Sequence, residues 1–435
     1  MDRHSTGRAT FAPRCTGDRP RESGFTLIEM VITLFVTALL LAGLLTLFNT
    51  MNKISRVQTH VADLQQNLRV AQYEMVRMTR MAARGGLLRG TLPDGFAVDV
   101  RNEVPDTGDE AYIAEGNVNS PKIEPGTDVL TVRGVFTSPV YQMNAAGPYF
   151  SRTLDADGNV TGGTMQVQDP NPDTGVPQSL VPIQEAIDDQ IDAPILLVSP
   201  LESLYAVVEL DHGNSEINAT DADGNATDIT IAFEASGGTY TDDYNSLVPL
   251  GQFPPQMQAV SAVGLLEELR FYVAEPDGTN IFEPRLTMAE FMAGTETPWN
   301  ADPANLRSYI ADNILDLQVA LGIDLENDGD VEDPGGATDE WLFDQEGDTN
   351  ADGTLASADW NTPLPGGGFP SIYFVRISTL ARTDRGDVNY VDDPIEEIED
   401  RTYAEPATPG TAEEREARRH RRRLLETTID LRNLS

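Results

Sequence analysis

One apolar stretch near the amino-terminal end limits what this chain can become. Residues 25–48 form a run of 24 residues that contains a single charged residue, Glu29. As a helix with a rise of about 1.5 Å per residue, the run spans roughly 36 Å, which exceeds the bilayer's hydrocarbon core of about 30 Å. The sequence therefore predicts a membrane-spanning helix ahead of a long polar remainder.

Residues 1–24 precede this run and carry five Arg and three acidic residues but no apolar segment. A secretory signal has its small-residue cleavage site after the apolar core, whereas Gly24 comes before it. Cleavage after Gly24 would leave the helix on the mature protein. The arginines predict a cytoplasmic leader and an outward-facing remainder. A plain single-span anchor is the simpler alternative.

The string Gly24-Phe25-Thr26-Leu27-Ile28-Glu29 resembles the prepilin cleavage and methylation motif of type IV pilins and type II secretion pseudopilins. The resemblance implies that a membrane prepilin peptidase cuts after Gly24 and methylates the new amine of Phe25.

Glu29 is ionisable and lies inside the predicted spanning helix, where an unpaired charge is costly. It is about 6 Å along the helix from Phe25, so it can meet the positive amine of a neighbouring subunit's first residue. Neutralising both charges in a low dielectric is favourable. We predict that Glu29 sets the stagger between subunits, the role that the resemblance implies. A Glu29 that reaches the membrane interface is the alternative.

An apolar stripe continues beyond the spanning segment. No Pro or Gly interrupts it before Gly85, and it predicts one helix from Phe25 to about Arg84, with the stripe packed on a sheet of the same domain rather than in a coiled coil. His60 falls outside the stripe and is expected to be exposed. The stripe consists of Ile54, Val57, Val61, Leu64, Leu68, Ala71, Met75 and Met78.

Residues 85–435 are predicted to be rich in β-strands, because short segments alternate apolar and polar residues or form brief apolar runs. Residues 137–192 are rich in Pro, Gly and Asp and are interpreted as an insertion or long loops. The segment from Asp302 begins with Asp-Pro and predicts a helix. The DADGN pentads at Asp155 and Asp221 predict hairpin turns. Strands are predicted from Thr127, Ala193, Leu204, Thr227, Val263 (a pair), Leu315 (half-buried) and Ser371, and a final strand through Leu425 and Ile429.

Segments near both ends resemble PilW-like minor pilins, namely LRVAQYEMVRMTRMAARGG, SIYFVRISTLART and RRRLLETTIDLRNLS. The resemblance implies an α+β, type IV pilin-like fold, in which a long N-terminal helix, half of it transmembrane, packs on an antiparallel β-sheet domain with large insertions. The predicted division is a leader (1–24), the transmembrane half (25–48) and the amphipathic half (49–84) of the helix, and an extracytoplasmic domain (85–435).

Structural calcium is the predicted cofactor of an acidic segment, residues 324–360, which holds 13 acidic residues and no Lys or Arg. A divalent cation would relieve the repulsion among these charges. Residues 348–359 fit a twelve-residue calcium loop with Gly353 at its sharp turn. Its candidate ligands are Asp348, Asn350, Asp352, Thr354 and Asp359. A weaker candidate set, for which a plain acidic turn is the alternative, is Asp324, Glu326, Asp328 and Asp330.

Charge argues against a nucleic-acid partner. The chain has 30 basic and 70 acidic residues, and removal of the leader leaves 25 and 67, a net charge of −42. Such a surface repels nucleic acid and anionic lipid. The basic run from Glu413 to Arg423 is interpreted as a solvated helix start whose arginines pair with the protein's own acids; a patch for DNA or a pilus neighbour is the alternative. The single cysteine, Cys15, lies in the leader, and no catalytic signature motif is present, so we do not predict an enzyme.

The resemblance implies a minor pilin that takes part in type IV pilus assembly or initiation, at the tip or sparsely incorporated. Its implied partners are other pilins through the first helix, the prepilin peptidase and the inner-membrane assembly platform. Before assembly it would lie in the inner membrane as a single-pass protein with a cytoplasmic N-terminus, and afterwards in the extracellular pilus. The alternatives are a minor pseudopilin of type II secretion, a pilus-displayed adhesin with a ligand pocket in residues 137–300, and a membrane-anchored hydrolase.

Overall fold

The computed structural model describes most of the chain beyond the leader. The described residues are 25–85, 97–104, 122–143, 149–199, 204–235, 239–241, 246–249, 253–254, 257–275, 284–292, 307–324, 331, 340–344, 371–387, 390–393, 395, 397–403 and 411–431.

The described elements are one long helix, two short helices and twenty strands. In chain order they are α1 (Leu27–Thr79), β1 (Val98–Arg101), β2 (Val129–Gly134), β3 (Tyr141–Gln142), β4 (Phe150–Leu154), β5 (Val160–Gln168), α2 (Val181–Asp188), β6 (Pro194–Ser199), β7 (Leu204–Thr220), β8 (Ala226–Glu234), β9 (Thr239–Thr241), β10 (Ser246–Pro249), β11 (Ala262–Leu265), β12 (Glu267–Ala274), β13 (Arg285–Met292), β14 (Arg307–Asp312), β15 (Ile314–Asp324), β16 (Trp341–Leu342), β17 (Ser371–Arg382), β18 (Glu397–Ile398), β19 (Arg401–Thr402), α3 (Ala412–Ala417) and β20 (Arg422–Asp430).

The chain divides into two compact units, Met1–Gln58 and Thr59–Ser435. The described part of the first unit is helical from Leu27, and its side chains are exposed except for a half-buried Val57. The second unit holds the rest of α1 and all the strands. The predicted long helix is confirmed, with an end at Thr79 that is followed by turns up to Gly85.

In the second unit, the apolar stripe of α1 is buried at its centre and half-buried at Val61 and Met78, as its spacing predicts. Leu64, Leu68, Ala71 and Met75 are each at most 4 % exposed and join a core with residues of two antiparallel sheets. The five-stranded sheet has the order β1-β2-β12-β13-β14, and the four-stranded sheet has the order β16-β15-β17-β20. The α+β, pilin-like fold predicted from the sequence is therefore present.

A third sheet, of seven strands, is inserted between two neighbouring strands of the five-stranded sheet. The chain leaves that sheet at Gly134 and returns at Glu267, and these two residues face each other in the β2–β12 register. The intervening residues build the order β3-β11-β6-β7-β8-β5-β4. One face of this sheet supplies a second core, while Leu196 and Val198 on its other face join the first core.

Residues 137–192 are part of an insertion, as one of the two interpretations had it, but the alternative of long loops is wrong, because this stretch contains β3, β4, β5 and α2. Gly162 and Gly163 give it a loop-like composition, yet both lie inside β5. A Cβ on Gly162 would meet the Phe233 carbonyl oxygen at 2.5 Å, and one on Gly163 would meet the Ser151 carbonyl oxygen at 2.2 Å. The glycines therefore serve close strand packing rather than a loop.

The helix predicted from Asp302 is also wrong where the structure describes it. Residues 307–312 form β14, which pairs antiparallel with β13. The Asp-Pro start lies outside the described residues. Ladder hydrogen bonds to β13 outweigh a weak local helix signal, since tertiary pairing regularly overrides propensity.

Strand β15 is present as predicted, but the expectation of a half-buried strand is wrong. Its polar residues Asp316 and Gln318 have no exposed surface, like the apolar residues on its other face. Gln318 donates to the carbonyl oxygen of Gly126 at 3.0 Å, and Asp316 pairs with Arg401 at 2.7 Å. Other parts of the chain thus cover the face that the alternation assigned to solvent.

The two predicted Asp-Gly hairpin turns are confirmed. Asp155 closes the β4–β5 hairpin, and Asp221 closes the β7–β8 hairpin; each accepts backbone N–H groups at two and four residues further on, at 2.8–2.9 Å. Gly158 and Gly224 lie in the left-handed region at φ +86° and +91°, where glycine carries little steric cost.

Candidate assembly site and buried charge networks

Glu29 lies in the first turn of α1 and contacts Thr26, the residue just before the helix. The Glu29 carboxylate accepts the Thr26 backbone N–H at 3.0 Å and its hydroxyl at 2.9 Å, both through Oε2. In return, the Thr26 hydroxyl oxygen accepts the Glu29 backbone N–H at 3.3 Å. This reciprocal arrangement is a capping box, which satisfies amide groups at a helix start. Glu29 is therefore preorganised within its own chain, with its carboxylate at the surface.

The segment around Glu29 exposes a continuous apolar surface. Phe25 and Leu27 are more than four-fifths exposed, and the large apolar residues up to Phe48 are all exposed. Helix α1 is long and apolar enough to cross a membrane. An apolar helix that is exposed all round belongs in lipid or against other helices.

Most of the predicted site residues lie outside the described part of the chain. Gly24 does, as do Glu326, Asp328 and Asp330 and the whole candidate calcium loop from Asp348 to Asp359. Asp324 is described: it is 2 % exposed at the end of β15, opposite Ser371. Asp324 is therefore a buried residue at the end of a strand. The other candidate calcium ligands lie outside the described residues, so both calcium sites stay predictions.

A fully buried ion network connects β2 and β12. Glu268 bonds the Nε atoms of Arg133 and Arg270 at 2.6 Å each, and all three side chains have no exposed surface. The Arg270 guanidinium also lies 4.2 Å from the ring centre of Phe291. Charges this deep require their partners, because an unpaired buried charge is strongly unfavourable.

A second carboxylate lies beside this network. Glu267 accepts the backbone N–H of Phe136 at 2.6 Å and that of Thr137 at 2.8 Å, where the chain leaves β2 for the inserted sheet. Glu290 on β13 shares this environment. Burial raises the pKa of Glu290 above its ordinary value, and the neighbouring Glu267 raises it further. One proton shared between the two carboxyl groups relieves their repulsion.

A third group of charges surrounds β15. Asp128 is completely buried and accepts the backbone N–H groups of Glu103 at 2.9 Å and Val319 at 2.7 Å. Burial raises the pKa of Asp128 well above its ordinary value. Asp316 carries a raised pKa as well, chiefly from burial and despite its pairing with Arg401.

His60 is not simply exposed, which corrects the prediction. It lies 2.8 Å from the Asp384 carboxylate, and its side chain is 27 % exposed.

The interpretation of the basic run is confirmed for two of its arginines. Arg422 pairs with Asp392 at 3.4 Å, and Arg421 pairs with Asp387 at 3.6 Å.

Sequence reasoning missed several polar contacts that the structure shows. The spacing Thr26-x-x-Glu29 is itself a capping-box signal and was available from the sequence. No local pattern announces the buried Gln72 of α1, whose amide donates to the carbonyl oxygens of Ile377 and Leu425. The ion network of Glu268 likewise gives no signal in the sequence, since its members come from two strands that the inserted sheet separates along the chain.

Comparison with known proteins gives two matches. Residues 270–433 match the family described as type IV pilus-assembly protein W, and residues 19–45 match the prokaryotic N-terminal methylation motif. No curated protein and no solved structure matches the chain. The first match covers strands of the five- and four-stranded sheets and ends beyond β20; the second covers Glu29 and the start of α1. The resemblance read from the sequence is thus confirmed: residues 270–433 are similar to type IV pilus-assembly protein W, residues 19–45 are similar to the prepilin methylation motif, and the N-terminal helix is apolar enough to cross a membrane.

Proposed function

We propose that this protein is a minor pilin, a structural subunit that enters the type IV pilus at its tip or at a few positions and takes part in starting its assembly. The observation that carries the proposal is the large size of the domain. About 350 residues follow the helix, and a whole seven-stranded sheet is inserted between β2 and β12. Subunits this large would crowd a tightly stacked shaft, which favours sparse incorporation.

Incorporation proceeds through α1. The prepilin peptidase removes residues 1–24 and methylates Phe25, while the chain spans the inner membrane with its N-terminus in the cytoplasm. The assembly platform then brings the subunit to the other pilins. The capping box uses Oε2 of Glu29, so Oε1 remains for the amine of a neighbouring subunit. Pairing there would neutralise two charges in a low dielectric.

Mass spectrometry of the N-terminus tests the first step. In cells with the prepilin peptidase, we expect a mature chain that begins at methylated Phe25. In cells without the enzyme, we expect the uncut leader. An uncut leader in both strains would reduce residues 25–48 to a plain anchor. In purified pili, the ratio of this chain to the most abundant pilin should be low; a ratio near one would contradict the minor role.

Two variants separate the pairing role of Glu29 from its capping role. Glu29→Ala removes both, whereas Thr26→Val removes the hydroxyl from the capping box and leaves the carboxylate. We expect normal cleavage in both variants and a large loss of the chain from sheared pili only for Glu29→Ala. Equal losses in the two variants would show that Glu29 acts through the helix start, and normal incorporation of Glu29→Ala would exclude the pairing.

A second candidate function is display of a binding module on the fibre. The inserted sheet favours it, because residues 141–265 lie outside the family match and have their own core. Deletion of the gene would then leave pilus numbers normal and abolish binding to a surface. A minor pseudopilin of type II secretion makes a different prediction: the chain would copurify with secretion pseudopilins, and its loss would stop secretion.

Calcium in the segment 324–360 remains part of the proposal, as a structural ion held by Asp348, Asn350, Asp352, Thr354 and Asp359. Its support is the fit of these residues to a calcium loop and the density of acidic residues around them. Asp352→Ala should then reduce the gain in melting temperature that calcium confers on the wild type.

A further inference from the structure

A groove lies between the second half of α1 and β14, the edge strand of the five-stranded sheet. Its walls enclose about 790 Å³, a volume within the range of binding clefts. Beside it, Asn67 of α1 donates its amide to the carbonyl oxygen of Asp312 at 3.1 Å, at the end of β14. This hydrogen bond holds the helix against the strand, so the groove is already formed in the isolated chain.

The helical wall of the groove is a single face of α1. Its lining residues run from Ala62 to Glu74 at alternating spacings of three and one, the pattern of neighbours on one helix face. At a rise of about 1.5 Å per residue, this wall is roughly 18 Å long. An extended chain advances about 3.3 Å per residue, so the wall matches a segment of roughly five residues.

The opposite wall is the outer edge of β14. Three consecutive residues, Ser308, Tyr309 and Ile310, line the groove, although successive side chains of a strand point to opposite faces of the sheet. A groove that touches all three therefore follows the edge of the strand. Among the described strands, β14 pairs with β13 alone, and a free edge offers backbone donors and acceptors to a further strand.

The groove combines an apolar base with an aromatic rim. Met288 and Ile310 are partly buried and pack against the core that contains α1. Val70, Tyr73 and Tyr309 are 44 %, 68 % and 55 % exposed. Aromatic side chains are enriched at protein interfaces, where they bury a large area and can still use a polar group. The exposed rings therefore favour a protein partner.

Charge adds a requirement for that partner. Arg69 lines the groove, is exposed, and has no ion-pair partner among the side chains that the structure describes, whereas Glu74 of the same wall pairs with Arg77. Residues 49–84 hold six basic and two acidic residues, in contrast to the strongly acidic remainder of the chain. A carboxylate on the partner would complement Arg69, and such charges contribute more to specificity than to affinity.

We propose that the groove binds an extended segment of a neighbouring pilin as a strand added to β14, with apolar side chains against Val70 and Ile310 and a carboxylate beside Arg69. The inference rests on the proposed function, under which other pilins surround α1. Backbone hydrogen bonds along β14 would supply affinity, and alternate side chains of the added strand would supply specificity.

Two other occupants fit the groove less well. A helix has already paired its backbone groups internally, so it would leave the edge of β14 unsatisfied. A second copy of this chain is seldom near the first when subunits enter the fibre sparsely. The edge of the strand and the single free cation are both complemented by an extended segment that carries an acidic residue.

The test measures binding of the full-length chain, in detergent, to each of the other pilins of the same pilus, purified in the same detergent. Tyr73→Ala removes an exposed ring from the rim, and Arg69→Glu reverses the free charge. Val176→Ala and Arg56→Glu are the matched controls, since both side chains are exposed and lie outside the groove. Hydrogen exchange of residues 307–312, with and without the bound pilin, reports whether a strand is added.

We expect both groove variants to bind one of the pilins about tenfold more weakly than the wild type does. The controls should bind normally, and amides of β14 should exchange more slowly in the complex. Equal binding by the wild type and the groove variants would overturn the inference, as would slower exchange confined to α1 or binding only to a second copy of the chain.

The outcome for this inference can be separated from that for the proposed function. A chain that is cleaved after Gly24 and enters pili, yet binds no pilin through the groove, would overturn the inference alone. An uncut leader and absence from pili would contradict the proposed function itself.

Discussion

Two buried regions of the second unit are built in different ways. On the face of the five-stranded sheet that points away from α1, Glu268 is held between two arginines that have no exposed surface, beside Phe291. The core of the inserted sheet is apolar, and its aromatic rings Phe150, Phe233 and Phe253 stack at 5.9–6.3 Å between centroids. The first region depends on charge pairing between two strands, whereas the second packs apolar side chains.

The family match follows this division. Residues 270–433 build strands of the five- and four-stranded sheets around the first core, and none of them lies in the inserted sheet. One chain therefore combines strands that resemble a pilus-assembly family with an inserted sheet that has an apolar core of its own. Substitutions in the ion network and in the inserted sheet can break or sharpen that contrast.

The largest effect is expected for Glu268→Gln. The substitution removes the buried negative charge that Arg133 and Arg270 both contact, and breaking a buried pair in this way costs about 3–5 kcal/mol. Denaturant unfolding of the full chain in detergent measures the loss. Glu216→Gln, on an exposed position of β7, is the control and should change stability little. A loss of similar size in both variants would contradict the role of the ion network.

The next effect tests packing in the inserted sheet. Gly163→Ala places a Cβ 2.2 Å from the Ser151 carbonyl oxygen, and overpacking of this kind costs about 1–3 kcal/mol. Gly213→Ala, whose Cβ would find its nearest atom at 3.5 Å, is the matched control. If the two alanine variants lose the same amount of stability, the close approach of neighbouring strands does not limit packing in this core.

A smaller effect concerns pH. Because burial, together with the neighbouring Glu267, raises the pKa of Glu290 in the folded state, that state holds a proton that the unfolded state releases near the ordinary pKa of 4.5. Stability should therefore fall as pH rises from about 4.5 through the raised pKa. Glu290→Gln should flatten this part of the stability curve, while the exposed Glu216→Gln should leave its slope unchanged. If the slope persists in Glu290→Gln, a different titratable group causes the pH dependence.

The smallest change is expected at a hairpin turn. Backbone N–H bonds from Asn225 and Asp223 lower the pKa of Asp221, so its stabilisation is present above the ordinary pKa of an aspartate and disappears as pH falls through the lowered value. Asp221→Ala should lower the melting temperature slightly at pH 7 and not at pH 2. Asp155→Ala, at the equivalent turn of β4 and β5, should behave alike; a difference at pH 2 would point to contacts other than the carboxylate.

Sequence reasoning succeeded where the signal is local. The single charge within residues 25–48, the stripe around Leu64 and Leu68, and the Asp-Gly turns at Asp155 and Asp221 each depend on residues close together in the chain. It failed where distant residues decide. The polar face of β15 is buried because Gly126 and Arg401 cover it, and neither is near Asp316 in sequence.

The sequence alone determined the anchor helix, the prepilin motif with Glu29, and the presence of a β-rich domain, since hydrophobic periodicity and helix-start residues act over a few turns. Only the tertiary structure decided that residues 307–312 form a strand rather than a helix, that residues 141–265 form a sheet inserted between β2 and β12, and that Glu268 lies buried between two arginines. These outcomes depend on pairing partners far away in the chain. Local preferences of a few tenths of a kcal/mol per residue cannot specify such partners, whereas a ladder of hydrogen bonds or a buried ion pair can.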